Sequence, residues 1–98
     1  MIRFIEWSPR AKDELHETVN YLLQNWSEKT ADMFLIRLDK LIDTIKRNPE
    51  AYPKTAARLG VRRCVVSKQN SLYYRVDEEK LVILTIFDSR QDPRKLKL

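Results

Sequence analysis

The apolar residues of the first half of the chain recur at steps of three and four, and this spacing restricts the fold more than any other feature of the sequence. Such spacing is typical of α-helices that bury one face. One stripe runs from Ala11 to Trp26 and a second from Ala31 to Ile45. Because about two residues separate the predicted helices, we expect them to turn back on each other as an antiparallel helical hairpin.

Both predicted helices have identifiable ends. Ser8 can accept a hydrogen bond from an unpaired amide of the first turn, and Pro9 suits the first helical position because it has no amide to leave unpaired. Ser27 is the second candidate N-cap, and Asn48 followed by proline ends the second stripe. The sequence therefore predicts the second helix over about residues 28–47.

The sequence predicts four strands, one before the helices and three after them. Alternating apolar residues mark the opening strand, at Ile2, Phe4 and Trp7. Polar segments of hairpin length separate the later strands, predicted at residues 61–66, 72–76 and 81–87, so we expect an antiparallel meander. The last strand is apolar on both faces, which is typical of an inner strand. The connection over 49–60 is predicted to be a loop with a helical turn at 55–59.

These elements define an α+β fold: an N-terminal strand, an antiparallel two-helix hairpin and a three-stranded antiparallel meander. The 98 residues suit a single domain over 1–98. Cys64 is the only cysteine, so we expect neither a disulfide framework nor a zinc site, and we expect no metal and no cofactor. The sequence offers neither a signal peptide nor a membrane span, and the expected location is cytoplasmic.

Positive charge is concentrated in the second half of the chain. Residues 1–48 carry eight Lys and Arg against eight Asp and Glu, whereas residues 49–98 carry eleven against six. The net charge of +5 therefore belongs to the predicted meander and its flanks. A cationic sheet face indicates an anionic partner, either a nucleic acid or an acidic protein segment.

Five local motifs accompany this order of elements: Ser8-Pro9-Arg10-Ala11, Asn48-Pro49, Leu59-Gly60-Val61-Arg62-Arg63, Tyr73-Tyr74-Arg75-Val76 and Ile86-Phe87-Asp88-Ser89-Arg90-Gln91-Asp92-Pro93. Together, the motifs and the element order resemble the RelE/ParE superfamily of toxins from bacterial type II toxin–antitoxin systems. The resemblance covers nearly the whole chain. It implies a toxin neutralised by a cognate antitoxin, with relatives divided into ribosome-dependent mRNA endonucleases and inhibitors of DNA gyrase.

Cleavage of RNA by its own 2′-hydroxyl needs a base, an acid and cations over the developing negative charge. This sequence has such cations. It lacks the histidine or tyrosine that nuclease relatives place near position 88 or in the tail. This favours a ParE-like gyrase inhibitor over an enzyme, with a RelE-like ribosome-dependent endonuclease as the alternative. The nuclease candidates are Lys54, Arg62, Arg63, Arg90 and Lys95. The candidates for binding a target or antitoxin are Arg58, Arg62, Arg63, Arg90 and Arg94.

The expected partners are a cognate antitoxin and either DNA gyrase or the ribosome with its mRNA. A homodimer and a heterotetramer with the antitoxin are both compatible with this hypothesis, and no membrane partner is expected. A third hypothesis is a non-toxic RNA-binding or protein-binding module.

Structural roles compete with functional ones at several positions. Arg62 and Arg63 could form a solvated edge or pair with a nearby carboxylate such as Asp77 or Glu79. Other residues are expected to be structural: a surface histidine at His16, packed tryptophans at Trp7 and Trp26, and a buried thiol at Cys64. Adjacent residues of a strand face opposite ways, so exposure is predicted for one of Tyr73 and Tyr74.

Overall fold

The protein forms two helices packed against one four-stranded sheet. A computed structural model describes residues 2–98. Its elements are β1 (Phe4–Trp7), α1 (Pro9–Asn25), α2 (Glu28–Arg47), β2 (Arg62–Ser67), β3 (Asn70–Asp77), β4 (Lys80–Asp88) and a 3-10 turn (Pro93–Lys95). The strand–hairpin–meander order expected from the sequence is thus confirmed, as is the α+β class.

Serine side chains begin both helices, as the sequence predicted. The Ser8 Oγ accepts a hydrogen bond from the Ala11 amide at 3.0 Å and donates one to the Leu84 carbonyl at 2.7 Å. The Ser27 Oγ accepts from the Thr30 amide at 3.1 Å. Ser8 therefore satisfies a free amide of α1 and also ties the start of that helix to β4.

The sheet has the strand order β1-β4-β3-β2, so β4 is an inner strand as its apolar sequence predicted. Two hairpins join β2 to β3 and β3 to β4 in the antiparallel sense. The opening strand β1 pairs parallel with β4, with Ile5 opposite Leu81. The sequence did not predict this pairing, which closes the fold by bringing the first strand beside the last.

Both faces of the sheet are covered. The helix-side core joins α1 and α2 to the sheet through residues that include Ala11, Phe34, Ile45, Leu72, Tyr74 and Ile83. The opposite face carries a smaller tail-side cluster, formed by Val61, Tyr73 and Phe87 with the partly buried Leu84, Leu96 and Leu98. Because the C-terminal tail covers this face, both Tyr73 and Tyr74 are buried. The predicted exposure of one tyrosine is therefore wrong.

The connection between α2 and β2 contains turns in place of the predicted helical turn at 55–59. The Thr55 amide donates to the Val61 carbonyl at 2.9 Å, and the Arg63 amide donates to the Pro53 carbonyl at 3.0 Å. The loop thus lies along the outer edge of β2 and satisfies its backbone groups. Gly60 adopts φ +80°, a conformation that favours glycine, at the turn into β2.

Trp26 ends α1 with 69% of its surface exposed, so its predicted packing in the core is wrong. Trp7, in contrast, packs against the helix-side core as expected. None of the helices formed by residues 2–98 has the length and apolar content that a membrane span needs.

Candidate functional site

The cationic residues singled out in the sequence lie in three separate places. Lys54 and Arg62 line a pocket near the end of α2. Arg58, Arg63, Arg94 and Lys95 lie on or beside the tail that covers the second sheet face. Arg90 lines a cleft between α1 and the end of β4. The single cationic face expected from the sequence is therefore divided among three surfaces.

The pocket near the end of α2 has a volume of about 440 Å³ and includes Lys54, Arg62 and Arg75 in its lining. The Arg62 Nη1 donates to the Tyr52 carbonyl at 2.7 Å. Arg75 pairs with Asp77 through a 3.0 Å contact. Arg62 is thus fixed by the backbone of the preceding loop. Of the two carboxylates considered as its partners, Asp77 pairs with Arg75 and Glu79 lies 3.8 Å from Arg3.

Arg63 lies on the other face of β2. It is paired in register with Tyr73 of the tail-side cluster, and its Nε donates to the Ser71 Oγ at 3.2 Å. The Arg58 Nη1 donates to the Leu98 carbonyl and so holds the tail. Arg94, by contrast, contacts both carboxylate oxygens of Asp92, the shortest contact being 2.7 Å. Arg94 stays charged, and the adjacent carboxylate offsets part of that charge.

Arg90 follows β4 and is held on two sides. Its Nε and Nη2 donate to the Asp88 carboxylate at distances down to 2.6 Å, and its guanidinium lies 5.4 Å from the centroid of the Tyr21 ring. Hydrogen bonding to Asp88 raises the pKa of Arg90, and the same contact lowers the pKa of Asp88. Arg90 therefore remains charged, and its position is set by α1 and β4 together.

Glu14 is the polar residue of this cleft that the sequence analysis missed. Its Oε1 accepts hydrogen bonds from the Thr85 hydroxyl at 2.7 Å and the Ile86 amide at 3.1 Å. Burial raises the pKa of Glu14 despite these two bonds, which act in the opposite direction. The available signal was its position: Glu14 comes three residues after Ala11 and one before Leu15, at the margin of the apolar stripe of α1.

Other titratable groups that were considered do not favour proton transfer. Burial raises the pKa of the Cys64 thiol to about 12 and that of the Tyr74 hydroxyl to about 12. The Tyr74 hydroxyl donates to the Pro49 carbonyl at 2.8 Å, a structural contact. His16 is exposed on α1, as the sequence predicted. Over the described range 2–98, no group of three His, Cys, Asp or Glu side chains could hold a metal ion.

Substituting Glu14 with glutamine should change how stability depends on pH. Because the pKa of Glu14 is raised in the folded state, its contribution to stability is fully present at acid pH and is lost as pH rises through the folded-state value. Glu14→Gln keeps an acceptor oxygen but cannot titrate. The difference in unfolding free energy, wild type minus variant, should therefore fall as pH rises above the unperturbed glutamate pKa of about 4.3.

Urea unfolding at several pH values measures this difference. Asp13→Asn is the matched control, since Asp13 is an exposed carboxylate on the same helix and is not among the groups that shift the pKa of Glu14. The difference in unfolding free energy between wild type and Glu14→Gln could instead stay constant or rise with pH. Either result would show that burial does not destabilise the Glu14 carboxylate.

Solved structures that resemble this fold come from toxin–antitoxin systems. The "YoeB/ParE toxin from Agrobacterium tumefaciens" is 15% identical, with 88% of this chain and 98% of that chain covered and a TM-score of 0.66. A structure described as the chromosomal ParDE TA system from P. aeruginosa is 16% identical, covering 89% and 96%, with a TM-score of 0.64. The heterotetrameric YoeB-YefM toxin–antitoxin complex from Staphylococcus aureus is 19% identical, covering 89% and 95%, with a TM-score of 0.59. At these identities the likeness shows a common fold.

Family membership rests on the sequence itself. The family model described as the ParE toxin of the type II toxin–antitoxin system parDE matches residues 5–93. A search among curated proteins finds no match. The chain belongs to the ParE toxin family of type II toxin–antitoxin systems, which confirms the superfamily that its motifs resemble.

Proposed function

We propose that this protein is the growth-inhibiting toxin of a type II toxin–antitoxin pair and that it acts by binding DNA gyrase. Membership of the ParE toxin family supports the toxin role. A solved relative that forms a heterotetramer with its antitoxin supports a cognate antitoxin as partner. In this proposal the toxin works by occupying a surface of gyrase and catalyses no reaction.

The observation that carries this proposal is the separation of the cations. A phosphate-cleaving site needs cations, a base and an acid around one phosphate. Here Arg62, Arg63 and Arg90 lie in three different places. Such a distribution suits contacts spread over a protein surface better than a catalytic centre, since each arginine can meet a different group of a large partner.

The exposed apolar end of the helical hairpin is the surface that we assign to the antitoxin. Trp26 is the most exposed of its large side chains. Other large apolar side chains exposed on the two helices are Tyr21, Leu23, Met33 and Ile36. Exposed apolar groups of this size mark protein interaction sites, and an amphipathic antitoxin segment would bury them. Covering Tyr21 would also place the antitoxin beside Arg90, which Tyr21 contacts.

One observation favours the alternative function, a ribosome-dependent mRNA endonuclease. The cleft beside Arg90 also contains Glu14, a carboxylate whose pKa is raised by burial. A raised pKa brings a carboxylate closer to the range in which it can accept and release protons. In this alternative Glu14 would act as the proton-transfer group, in place of the lysines Lys54 and Lys95 considered from the sequence.

Two reactions separate these functions. Purified protein, free of antitoxin, is added to gyrase with relaxed plasmid and, separately, to translating ribosomes whose mRNA ends are mapped by primer extension. We expect loss of supercoiling and unchanged mRNA. New mRNA ends that disappear in Arg90→Ala would establish the nuclease instead. Unchanged supercoiling together with intact mRNA at saturating protein would refute both activities and favour a non-toxic binding module.

A further inference from the structure

Five cations surround the tail that covers the second sheet face, and we call them the tail-face cations. They are Arg10, Arg58, Arg63, Lys95 and Lys97. The Arg10 Nη1 donates to the Lys97 carbonyl at 2.9 Å, and the Arg58 Nη1 donates to the Leu98 carbonyl. Arg63 extends from β2 beside Tyr73, which the tail covers. Three separate parts of the chain therefore bring positive charge to the tail.

The tail itself has an apolar inner side and a basic outer side. Leu96 and Leu98 are partly buried against the tail-side cluster, whereas Lys95 and Lys97 are exposed. Because the leucines contact the sheet, the exposed lysines lie on the outer side of the tail. The two arginines that hold the tail backbone keep this arrangement in place.

Most of the tail-face cations form no close ion pair. Arg90 and Arg94 each form an ion pair with an aspartate two residues earlier. Within residues 2–98, by contrast, no Asp or Glu oxygen lies within 4.0 Å of a tail-face cation, and Arg10 and Lys95 interact only at longer range with Glu14 and Asp92. Arg58 is the exception, since the Leu98 oxygen that it contacts belongs to the terminal carboxylate. The surface thus presents several positive charges close together, which raises the local concentration of an anionic partner.

We propose that the tail face binds the phosphates of duplex DNA, so that the toxin engages gyrase together with the DNA that gyrase holds. This inference rests on gyrase being the target, because gyrase acts on duplex DNA. Duplex DNA offers one negative charge per about 1.7 Å of its axis, which several neighbouring cations can contact at once. An acidic protein segment is the less suitable partner, since Leu96 and Leu98 face inward and a stable protein interface needs an apolar centre.

The direct test is the salt dependence of DNA binding. Anisotropy of a short labelled duplex is measured with wild type and with the triple variant Arg63→Gln, Lys95→Gln and Lys97→Gln, from about 50 to about 200 mM salt. Arg10 and Arg58 are kept because they hold the tail. We expect the triple variant to lower the slope of log K against log salt by about three. The control variant, Lys29→Gln, Lys40→Gln and Lys46→Gln, removes equal charge from α2 and should keep the slope.

If the triple variant fails to fold, the double variant Lys95→Gln and Lys97→Gln provides a second measurement. Both lysines are exposed, so their replacement should leave the fold intact. The double variant should lower the slope by about two. Equal slopes for wild type and the tail-face variants would overturn the proposal. Tighter binding of polyglutamate than of DNA, lost in the same variants, would overturn it in favour of an acidic protein partner.

Gyrase inhibition distinguishes this proposal from the function on which it rests. A tail-face variant that loses DNA binding but still inhibits supercoiling fully would exclude a required DNA contact and leave gyrase as the target. DNA binding by wild type without any inhibition of supercoiling would overturn gyrase targeting, and with it the proposed joint engagement. We expect the tail-face variants to lose both DNA binding and inhibition. The α2 control variant should keep both.

Discussion

Arg90→Ala should weaken gyrase inhibition by about tenfold or more, because a few anchoring side chains, arginine prominent among them, carry most of the binding energy of a protein interface. Arg90 has the position that such a contact requires: Asp88 and Tyr21 hold its guanidinium at the mouth of a cleft of about 190 Å³. The protein concentration that halves supercoiling measures the effect. Expression of the variant without antitoxin should restore colony formation.

Arg3→Ala provides the matched control. Arg3 is also an arginine in a surface ion pair, at 3.8 Å from Glu79, and it precedes β1 and lines neither candidate pocket. The control should inhibit as the wild type does. Asp88→Asn should weaken inhibition less than Arg90→Ala, since the guanidinium stays charged but loses part of its support. Full inhibition by folded Arg90→Ala would show that the target is bound elsewhere.

Signals within a few residues were enough to predict the helices. The Ser8 and Ser27 caps act on amides three residues away, and the apolar stripes report the buried face of each helix directly. The two β-hairpins were predicted from the short polar segments between the strands. The parallel pairing of β1 with β4 could not be predicted in this way, because it joins residues such as Ile5 and Leu81 that no local pattern connects.

The tail shows why the second sheet face was mispredicted. Leu96 and Leu98 are only two apolar residues in a basic segment, and nothing in that segment indicates which surface it covers. Their contact with the tail-side cluster depends on Arg10 and Arg58, which are distant along the chain. The burial of Tyr73 by the tail therefore depends on tertiary contacts. Strand alternation alone predicted the wrong exposure for this residue.

The division of the candidate site was partly predictable. Adjacent strand residues face opposite ways, so Arg62 and Arg63 could not both point at one ligand. The same alternation that separates Tyr73 from Tyr74 therefore separates the two arginines. The place of Arg90 beside Tyr21 was not predictable, since it depends on how the last turns of α1 pack against the end of β4.

Leu72→Ala should lower the unfolding free energy by about 2–5 kcal/mol, because it removes a large side chain from the centre of the helix-side core and leaves a cavity. Leu72 is 0% exposed and lies on β3, between the two neighbouring strands of the sheet. Small domains typically have about 5–15 kcal/mol of stability, so the loss would be a large fraction of the total. Urea unfolding followed by circular dichroism measures it.

The control is the same substitution at the surface. Leu59 is 99% exposed in the turn before β2, so Leu59→Ala should change stability by less than about 0.5 kcal/mol. Comparing two leucine-to-alanine changes separates burial from any effect of the residue type itself. A similar cost at both positions would contradict the placement of Leu72 between the helices and the sheet. A large cost at Leu72 alone would support that packing, on which the positions of Arg62, Arg63 and Arg90 depend.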